Sequence, residues 1–563
     1  MKWKFRPQLS APQLEKELGV NPVLGRLLAQ RGIETFDQAK SFFNPDLNAL
    51  HDPFLMKDMG KAVERIRLAI SAGEKVMVYG DYDVDGTTSV ALMTSFLETL
   101  DMDLTPYIPD RYLEGYGISF KGIDVAQEKG ISLIIALDCG IKSIEHIDYA
   151  KQRGIDFIIC DHHRPGDELP KAVAVLDPKQ SDCEYPFKEL SGCGVGFKLC
   201  QALQEKLNLE FSDLIPLLDL CAISIGADIV PVNGENRILA FHGLKELNKR
   251  SRPGLKVLMA QSDHKEFSLT DVIFTVGPKI NAAGRMKHGL YAVELLLENR
   301  EEAAYLKGEE INEFNSSRRT ADQGTSQEAL EQILKNEEQN DPATVVFKED
   351  WHKGVIGIVA SRLIDTYYRP TLVFTQSGTV LAASARSVRG FDVYNALNEC
   401  ADLLEQFGGH MYAAGLTIKP ENFQAFKKRF NQVVKETLTE EQKIQEITVD
   451  SELAFELIDE KFYRILKRMQ PFGPSNERPV FVTRNLRDTG YAKTVGDEGK
   501  HLKVQFKDTE KDITFNGIGF GLGKKISHCG QLLDVAYELD KNSFRGQENF
   551  QLMIKDIKQP HDL

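Results

Sequence analysis

Three carboxylates stand on one short turn, Gly80-Asp81-Tyr82-Asp83-Val84-Asp85-Gly86. At that spacing they repel one another and raise each other's pKa, a cost that a divalent cation removes. An EF-hand is excluded, because the twelfth loop position is not a glutamate and the turn lies between an apolar run and a Thr-rich helical segment. A solvated turn is the plain alternative, since Asp and Gly are ordinary turn residues. Two further groups point the same way: Asp138 follows the apolar run 132–137 (SLIIAL), and Asp161-His162-His163 follows the run 156–160 (DFIIC). Mixed oxygen and imidazole donors suit Mn²⁺ and tolerate Mg²⁺, and several carboxylates can hold two ions about 4 Å apart, the arrangement that activates water against a phosphoryl centre.

The rhythm of the chain predicts the elements that hold these groups. Residues 75–178 alternate short apolar runs with helical stretches (87–100 and 143–154), which predicts a parallel sheet covered by helices. In such sheets the ligand crevice lies beyond the carboxyl ends of the strands, and Asp81 to Asp85, Asp138 and Asp161 to His163 all fall at those ends. Residues 215–297 read as mostly helical, with polar interruptions at 226–230 (GADIV) and 277–286 (GPKINAAGRM). A charged helical connector follows, then a smaller α/β unit with runs at 343–347, 370–374 and 380–385, then short strands at 479–483, 502–507, 512–518, 534–539 and 550–554. Those strands predict a small β-barrel of OB type. The expected fold class is therefore α/β. The expected domains are a helical extension (1–50), a catalytic domain (51–290), a connector (291–340), a second α/β domain (341–440) and a C-terminal β-barrel (446–563).

Composition fits that plan. The chain has 563 residues, 42% hydrophobic and 27% charged, which suggests roughly three to four domains of ordinary globular type. No apolar stretch reaches the length of a membrane helix, and the first dozen residues have no apolar h-region, so neither a membrane span nor a secretory signal is expected and the cytosol is the default. The eight cysteines include no CxxC pair and several lie in apolar runs, which predicts reduced core thiols. The net charge of −14 argues against a polyanion partner only globally. Residues 298–341 hold twelve acidic and five basic residues, so half the excess sits on one stretch, read as a solvated helix face, and a cationic groove elsewhere stays open.

Taken together, Gly80 to Gly86, Asp138, Asp161-His162-His163 and Asp228 resemble, in order and spacing, the DHH phosphoesterase superfamily. Phe407-Gly408-Gly409-His410 with Ala413-Ala414-Gly415 resembles the glycine-rich signature of the accessory DHHA1 domain. With residues 109–117 (PDRYLEGYG), 281–286 (NAAGRM), 384–387 (SARS) and the β-rich end, the chain is similar, over about residues 50–560, to the branch of that superfamily that degrades single-stranded DNA 5′ to 3′. The resemblance implies Asp83 as ligand of one metal, Asp85, His162 and Asp228 as ligands of the other, and Asp138 as the bridge. It makes Asp81 a candidate ligand or supporting carboxylate and turns His163 toward the scissile phosphate, with Asp161 orienting the metal-bound imidazole or capping the strand. Arg111, Tyr116, Asn281, Arg285, Ser384, Arg386, Gly408, Gly409 and His410 would contact the strand and its 5′ phosphate. The implied activity is two-metal hydrolysis (Mn²⁺ or Mg²⁺) to mononucleotides in DNA repair and recombination, with a single-strand-binding protein and a helicase as partners. The rivals are a DHH phosphodiesterase of short oligonucleotides or dinucleotides, a pyrophosphatase, and a metal-free scaffold. For the last, ligands would have to be missing, and every expected Asp and His is present. Of the C-terminal aromatics (Phe481, Tyr491, Phe506, Phe515, Phe520), strand alternation assigns most to the core, and no base-stacking platform is singled out.

Overall fold

The computed structural model describes residues 1–262, 264–544 and 546–560. The chain opens on a strand, β1 (Lys2–Phe5), ahead of three helices, α1 (Pro12–Leu18), α2 (Pro22–Ala29) and α3 (Phe36–Phe43). This strand was not legible locally because its partner, residues 446–449, lies at the far end of the sequence.

After α4 (Met59–Ala72) come five parallel strands, β2 (Lys75–Gly80), β3 (Asp103–Tyr107), β4 (Leu133–Leu137), β5 (Asp156–Cys160) and β6 (Ala174–Leu176), with α5 (Val84–Glu98), α6 (Phe120–Glu128) and α7 (Ile144–Lys151) among their connections. Their order is β3-β2-β4-β5-β6. Successive strand residues alternate between two cores: Val76, Val78 and Ile135 pack with α4 and α5, while Met77, Tyr79 and Ile134 pack with α6 and α7. Burial on both faces explains the unbroken apolar runs. The strand order reverses between β2 and β4, so the crevice of the sheet opens there, between the Asp-rich turn and Asp138.

Helices α8 (Gly192–Lys206), α9 (Leu218–Ala227), α10 (Gly234–Lys249) and α11 (Pro253–Met259) enlarge the first core. The short α12 (Leu269–Asp271) runs through a π-helical stretch, Val272–Val276, into α13 (Gly277–Met286). The expected polar interruption at 277–286 is thus a helix. Its proline sits in the first turn, where the missing N–H costs nothing. Gly284 lets the helix lie against the Asp-rich turn, for a Cβ there would come 2.8 Å from the Tyr82 carbonyl oxygen. After α14 (Leu290–Leu297), α15 (Glu301–Lys335) is the connector, 35 residues or about 50 Å long. It is not simply a solvated face: Asn315, Arg318 and Asp322 are buried along it.

The second sheet comprises β7 (Thr344–Phe347), β8 (Thr371–Ser377), β9 (Val380–Arg386), β10 (Leu404–His410) and β11 (Ala413–Ile418), in the order β10-β11-β9-β8-β7. Helix α16 (Ile356–Thr366) packs on one face, and α17 (Val393–Asn398) and α18 (Phe423–Thr437) on the other. Gly408 and Gly409 therefore lie on a strand, not in a tight turn. After β12 (Glu446–Val449), β13 (Ser451–Glu452) and α19 (Glu460–Arg468) comes the barrel, built from β14 (Phe481–Asp488), β15 (Lys493–Val495), β16 (His501–Asp508), β17 (Thr514–Gly519), β18 (Leu532–Phe544) and β19 (Gln547–Lys558). The circuit β14-β18-β19-β17-β16 closes when β16 pairs back to β14, as the predicted OB-like barrel requires. Helices α1 to α3 pack into the core of this unit. Arg237 on α10 ties the parallel-sheet unit to it by donating to the carbonyls of Phe42, Gln470 and Pro471.

Candidate metal centre and phosphate cleft

Each donor is placed by the end of an element. Asp83 caps α5, accepting from Gly86 N at 3.0 Å, and Asp85 enters the first turn. The Asp85 carboxylate reaches the start of α8, where the backbone N–H groups of Gly192 and Cys193 donate to it at 2.7 and 2.8 Å and Ser224 Oγ donates at 2.7 Å. A carboxylate at a helix N-terminus is held by free N–H groups and the helix dipole. Asp138 follows β4 with a φ of 59°. Asp228 ends α9. His162, only 6% exposed, stands among them, its Nε2 lying 3.1 Å from Asp138 Oδ1, 3.6 Å from Asp228 Oδ2 and 3.7 Å from Asp85 Oδ2.

Two donor sets result, Asp138 with His162 and His163, and Asp85 with His162 and Asp228, the atoms of each lying within 4.8 Å of one another. Asp81 and Asp83 stand outside both sets. Asp81 is buried and accepts from Gly117 N at 3.2 Å. Asp161 corrects one expectation: its Oδ1 accepts from the backbone N–H of His162 and His163 and meets His163 Nδ1 at 2.7 Å, so it orients His163, while His162 keeps both ring nitrogens free of hydrogen bonds. The other ring nitrogen of His163 meets the Tyr116 hydroxyl at 3.1 Å.

Burial and neighbouring charge set the protonation pattern. Burial first, then Asp85 and Asp83, push Asp138 well above the carboxylate range and Asp228 to about 8. Burial and the adjacent carboxylates raise Asp81 and Asp83 as well. Burial works against a proton on His163, but the hydrogen bond and charge of Asp161 outweigh it and lift the imidazole to about 9. Burial keeps His162 below its ordinary value, the neutral form that binds metal. Asp177, beyond β6, is a fourth strand-end carboxylate that the sequence reading passed over; it is buried and pushed up to about 7. The donor set fits divalent ions: Asp138 Oδ1, Asp81 Oδ2 and both His162 nitrogens are buried without hydrogen-bond partners, and unpaired buried polar atoms of this kind are costly unless a ligand takes them.

Two predictions arise here. In protein stripped of ions with EDTA, Asp228 (about 8) and Asp177 (about 7), against an ordinary 3.8, contribute stability that is full below the unfolded value and lost as pH rises through the folded one. His163, lifted from 6.5 to about 9, acts in the same direction, and His162 opposes only below its unfolded 6.5. The Tm of the stripped protein is therefore expected to rise as pH is lowered from about 8 to about 6, and saturating Mn²⁺ to flatten the profile. A Tm that falls over that window would mean the carboxylates are already compensated without metal. Second, a Cβ on Gly192 would lie 2.6 Å from Asp138 Cβ. Gly192→Ala should weaken Mn²⁺ binding by roughly tenfold or more, read by calorimetric titration; an unchanged affinity would show that the contact relaxes freely.

Facing the metal set is a group of arginines. Arg111 lies 4.7 Å over the Tyr82 ring. Arg285 is on α13, one turn after Asn281 and on the same face, and its Nη1 donates to Gly354 O at 2.9 Å. Burial, then Arg111, Arg318 and Arg386, lower its pKa to about 10. Arg386 on β9 donates to Ser384 Oγ at 3.0 Å. Strand register pairs Arg386 with Ala413 and Ala413 with His410, and in a second row Ser384 with Gly415 and Gly415 with Gly408. Directly paired residues share a face, so Ser384, Arg386, Gly408 and His410 share one, with little side-chain bulk between them. Gly409, at φ 146°, faces the other way; its Cβ would strike the Ala413 carbonyl at 2.4 Å. The sequence reading missed Arg318 and Arg362, which flank buried Asp322; Arg362 Nη2 meets it at 2.7 Å and Arg318 Nη1 at 3.9 Å. The signal was a lone Arg318-Arg319 pair in an acidic helix.

Buried carboxylates and imidazoles at the ends of a parallel sheet, opposite a second α/β domain that offers arginines and open glycine backbone, define a divalent-metal phosphoesterase. The DHH family, N-terminal domain, matches residues 75–225, the DHHA1 domain residues 340–436, and the RecJ OB domain residues 449–556. The chain belongs to the RecJ family of single-stranded-DNA-specific exonucleases. It is 38% identical to the RecJ of Bacillus subtilis over 99% of this chain and 70% of that protein, and 32% identical to that of Escherichia coli over 95% and 96%. Among solved structures it resembles RecJ of Thermus thermophilus in complex with Mn²⁺, with a TM-score of 0.86 and 26% identity over all of this chain and 80% of that one. The Mg²⁺ complex of that protein gives 0.78 and 25%, over 99% and 78%.

Proposed function

We propose that this chain is a divalent-metal-dependent exonuclease that degrades single-stranded DNA from the 5′ end to mononucleotides by two-metal hydrolysis. The observation that carries the reading is the arginine group formed by Arg111, Arg285 and Arg386, set against the carboxylate and imidazole donors of the sheet edge, in a chain matched along its length by RecJ proteins. Residues 51–290 would form the catalytic domain, 291–340 the connector, 341–440 the DHHA1 domain and 446–563 the strand-binding barrel, with 1–50 buttressing that barrel. No helix among the described residues is long and apolar enough to cross a membrane. We place the enzyme in the bacterial cytoplasm, in DNA repair and recombination, with single-stranded DNA as substrate and a single-strand-binding protein and a helicase as partners.

In this reading Asp83 would hold one ion, Asp85, His162 and Asp228 the other, and Asp138 would serve both, with Asp81 in support. Bound there, Mn²⁺ or Mg²⁺ would supply water activation and charge neutralisation at the phosphorus. The chain's own residues do the rest. Protonated His163, steadied by Asp161 and Tyr116, opposes the charge that builds on the phosphate oxygens. Arg111, Arg285 and Arg386 clamp the terminal phosphate with Ser384 and Asn281 beside them, and the open backbone at Gly408 with His410 admits the next one, Gly409 letting the strand pass close to Ala413 behind them. Digestion of 5′-labelled and 3′-labelled single strands, a duplex and a dinucleotide, each with Mn²⁺ or Mg²⁺, tests the proposal. Labelled mononucleotide released first from the 5′ end of long single strands supports it; turnover confined to the dinucleotide defeats it.

Support for strand binding by the barrel comes from two aromatics. Phe481 and Phe506 are core and Phe515 is half-buried, whereas Tyr491 and Phe520 are 73% and 62% exposed beside the β15–β16 ladder, near Lys493, Lys500 and Lys503. Replacing both by Ala is expected to weaken binding of long single strands by about 2 kcal/mol or more while sparing very short ones, as read by fluorescence anisotropy; equal affinity for long strands would remove them from the path. This pair is a cleaner probe than deletion after Glu446, which would also strip β12 and the core under α1 to α3.

A further inference from the structure

On the outer side of the catalytic domain, α11 and the first turns of α15 cross so closely that a Cβ on Gly308 would lie 2.3 Å from Val257 Cγ1. Beside this crossing runs a groove of about 570 Å³. Pro253, Val257 and Ala260 form one wall, and Tyr305 and Leu306 the other. Among the described residues nothing covers those two side chains, which are 57% and 70% exposed. Exposed apolar side chains scattered singly are ordinary, but adjacent ones lining a groove mark a contact surface.

The rim decides what kind. Glu301, Glu302 and Glu309 border the groove. Lys256 neutralises Glu301 at 2.9 Å, and the nearby Lys307 is engaged by Glu298 at 3.1 Å. Glu302 is left without a cationic partner among the described residues, and Glu309, which accepts from Asn312, faces only the charge of Lys279, whose ammonium is itself hydrogen-bonded to Leu258 O and Gln261 Oε1. Nucleic acid is excluded from such a rim by like charge. A two-fold pairing with a second copy would set the same acidic rims against each other. An apolar groove with carboxylates in excess at its edge, Glu302 foremost, matches a cationic amphipathic segment, whose apolar side chains fill the groove while its lysines or arginines meet the rim.

We propose that the groove between α11 and α15 is a docking site for a cationic amphipathic helix of a partner protein. Leu306 lies on the same helix as Asp322 but about 24 Å along it, so a partner held there would be tethered to the enzyme without filling the arginine-lined cleft. The site is independent of which strands the enzyme degrades.

The test uses the full chain and a fluorescein-labelled helical peptide of leucine and lysine, about 18 residues long, with leucines at i, i+3, i+4 and i+7. A peptide of identical composition with that spacing scrambled is the control, because the whole chain is acidic and attracts any cation. Fluorescence anisotropy should show the patterned peptide binding roughly tenfold or more tightly than the scrambled one, and Leu306→Asp and Glu302→Lys each should remove most of that difference. Both residues are exposed, so an unchanged Tm is expected in each variant and is measured alongside. Equal binding of the two peptides, or variants with unchanged Tm that keep the full difference, would overturn the proposal.

Discussion

Asp138→Ala is expected to lose cleavage by on the order of 10³-fold or more while binding single strands within a few-fold of the parent. Asp138 is the carboxylate nearest the His162 nitrogen, it is buried, and its Oδ1 has no hydrogen-bond partner to lose. In the proposed mechanism strand affinity would rest instead on phosphate contacts from arginines on other elements. The same site makes a second measurement informative. Because Asp138 is destabilised by burial beside Asp85 and Asp83, the isosteric Asp138→Asn should raise the Tm of EDTA-treated protein and shrink the further rise on adding Mn²⁺. A variant with near-normal turnover would take Asp138 out of the mechanism. A lower Tm in EDTA would show that its charge is compensated within the protein.

Arg386→Ala is expected to cost about 2 to 3 kcal/mol in kcat/KM on 5′-phosphorylated strands, roughly 30- to 150-fold, and markedly less on 5′-hydroxyl strands. Burial and the neighbouring charge of Arg111 lower its pKa, the mark of a cation held where an anion is missing. Arg386 is a cleaner probe than Arg285, whose guanidinium also braces Gly354 across the two domains. Equal slowing of both substrates would mean that Arg386 grips the backbone generally and that polarity comes from the shape of the channel.

Asp81 to Asp85, Asp138 and Asp161 to His163 were legible because strand ends announce themselves, an apolar run stopping where a polar cluster begins; Asp228, which ends a helix, was legible only through resemblance. Asp177 also follows such a run, but β6 is three residues long and Asp177 stands alone after it. The arginine cleft was legible only through resemblance, since Arg111, Arg285 and Arg386 lie on a loop, a helix and a strand that non-local packing alone brings together. Helix α13 shows how tertiary contact overrides local composition: its glycine, proline and asparagine read as a break, yet Gly284 lets it lie against the Asp-rich turn. Arg318 and Asp322 were hidden by an average, since the net charge of a helix does not say which of its faces is covered.

The pairing of β1 with β12 carries a consequence for biogenesis. Lys2 meets Glu446, and α1 to α3 share a core with the barrel, so these residues leave the ribosome hundreds of residues ahead of the strands they pack against. At about 5–20 residues per second they wait on the order of half a minute or more. During that time Trp3, Leu24, Leu27 and Leu28, all buried in the finished fold, lack the C-terminal part of the core they pack on. The catalytic sheet can assemble first from its own local crossovers, while the opening residues depend on a holdase or on their own solubility until the barrel is made.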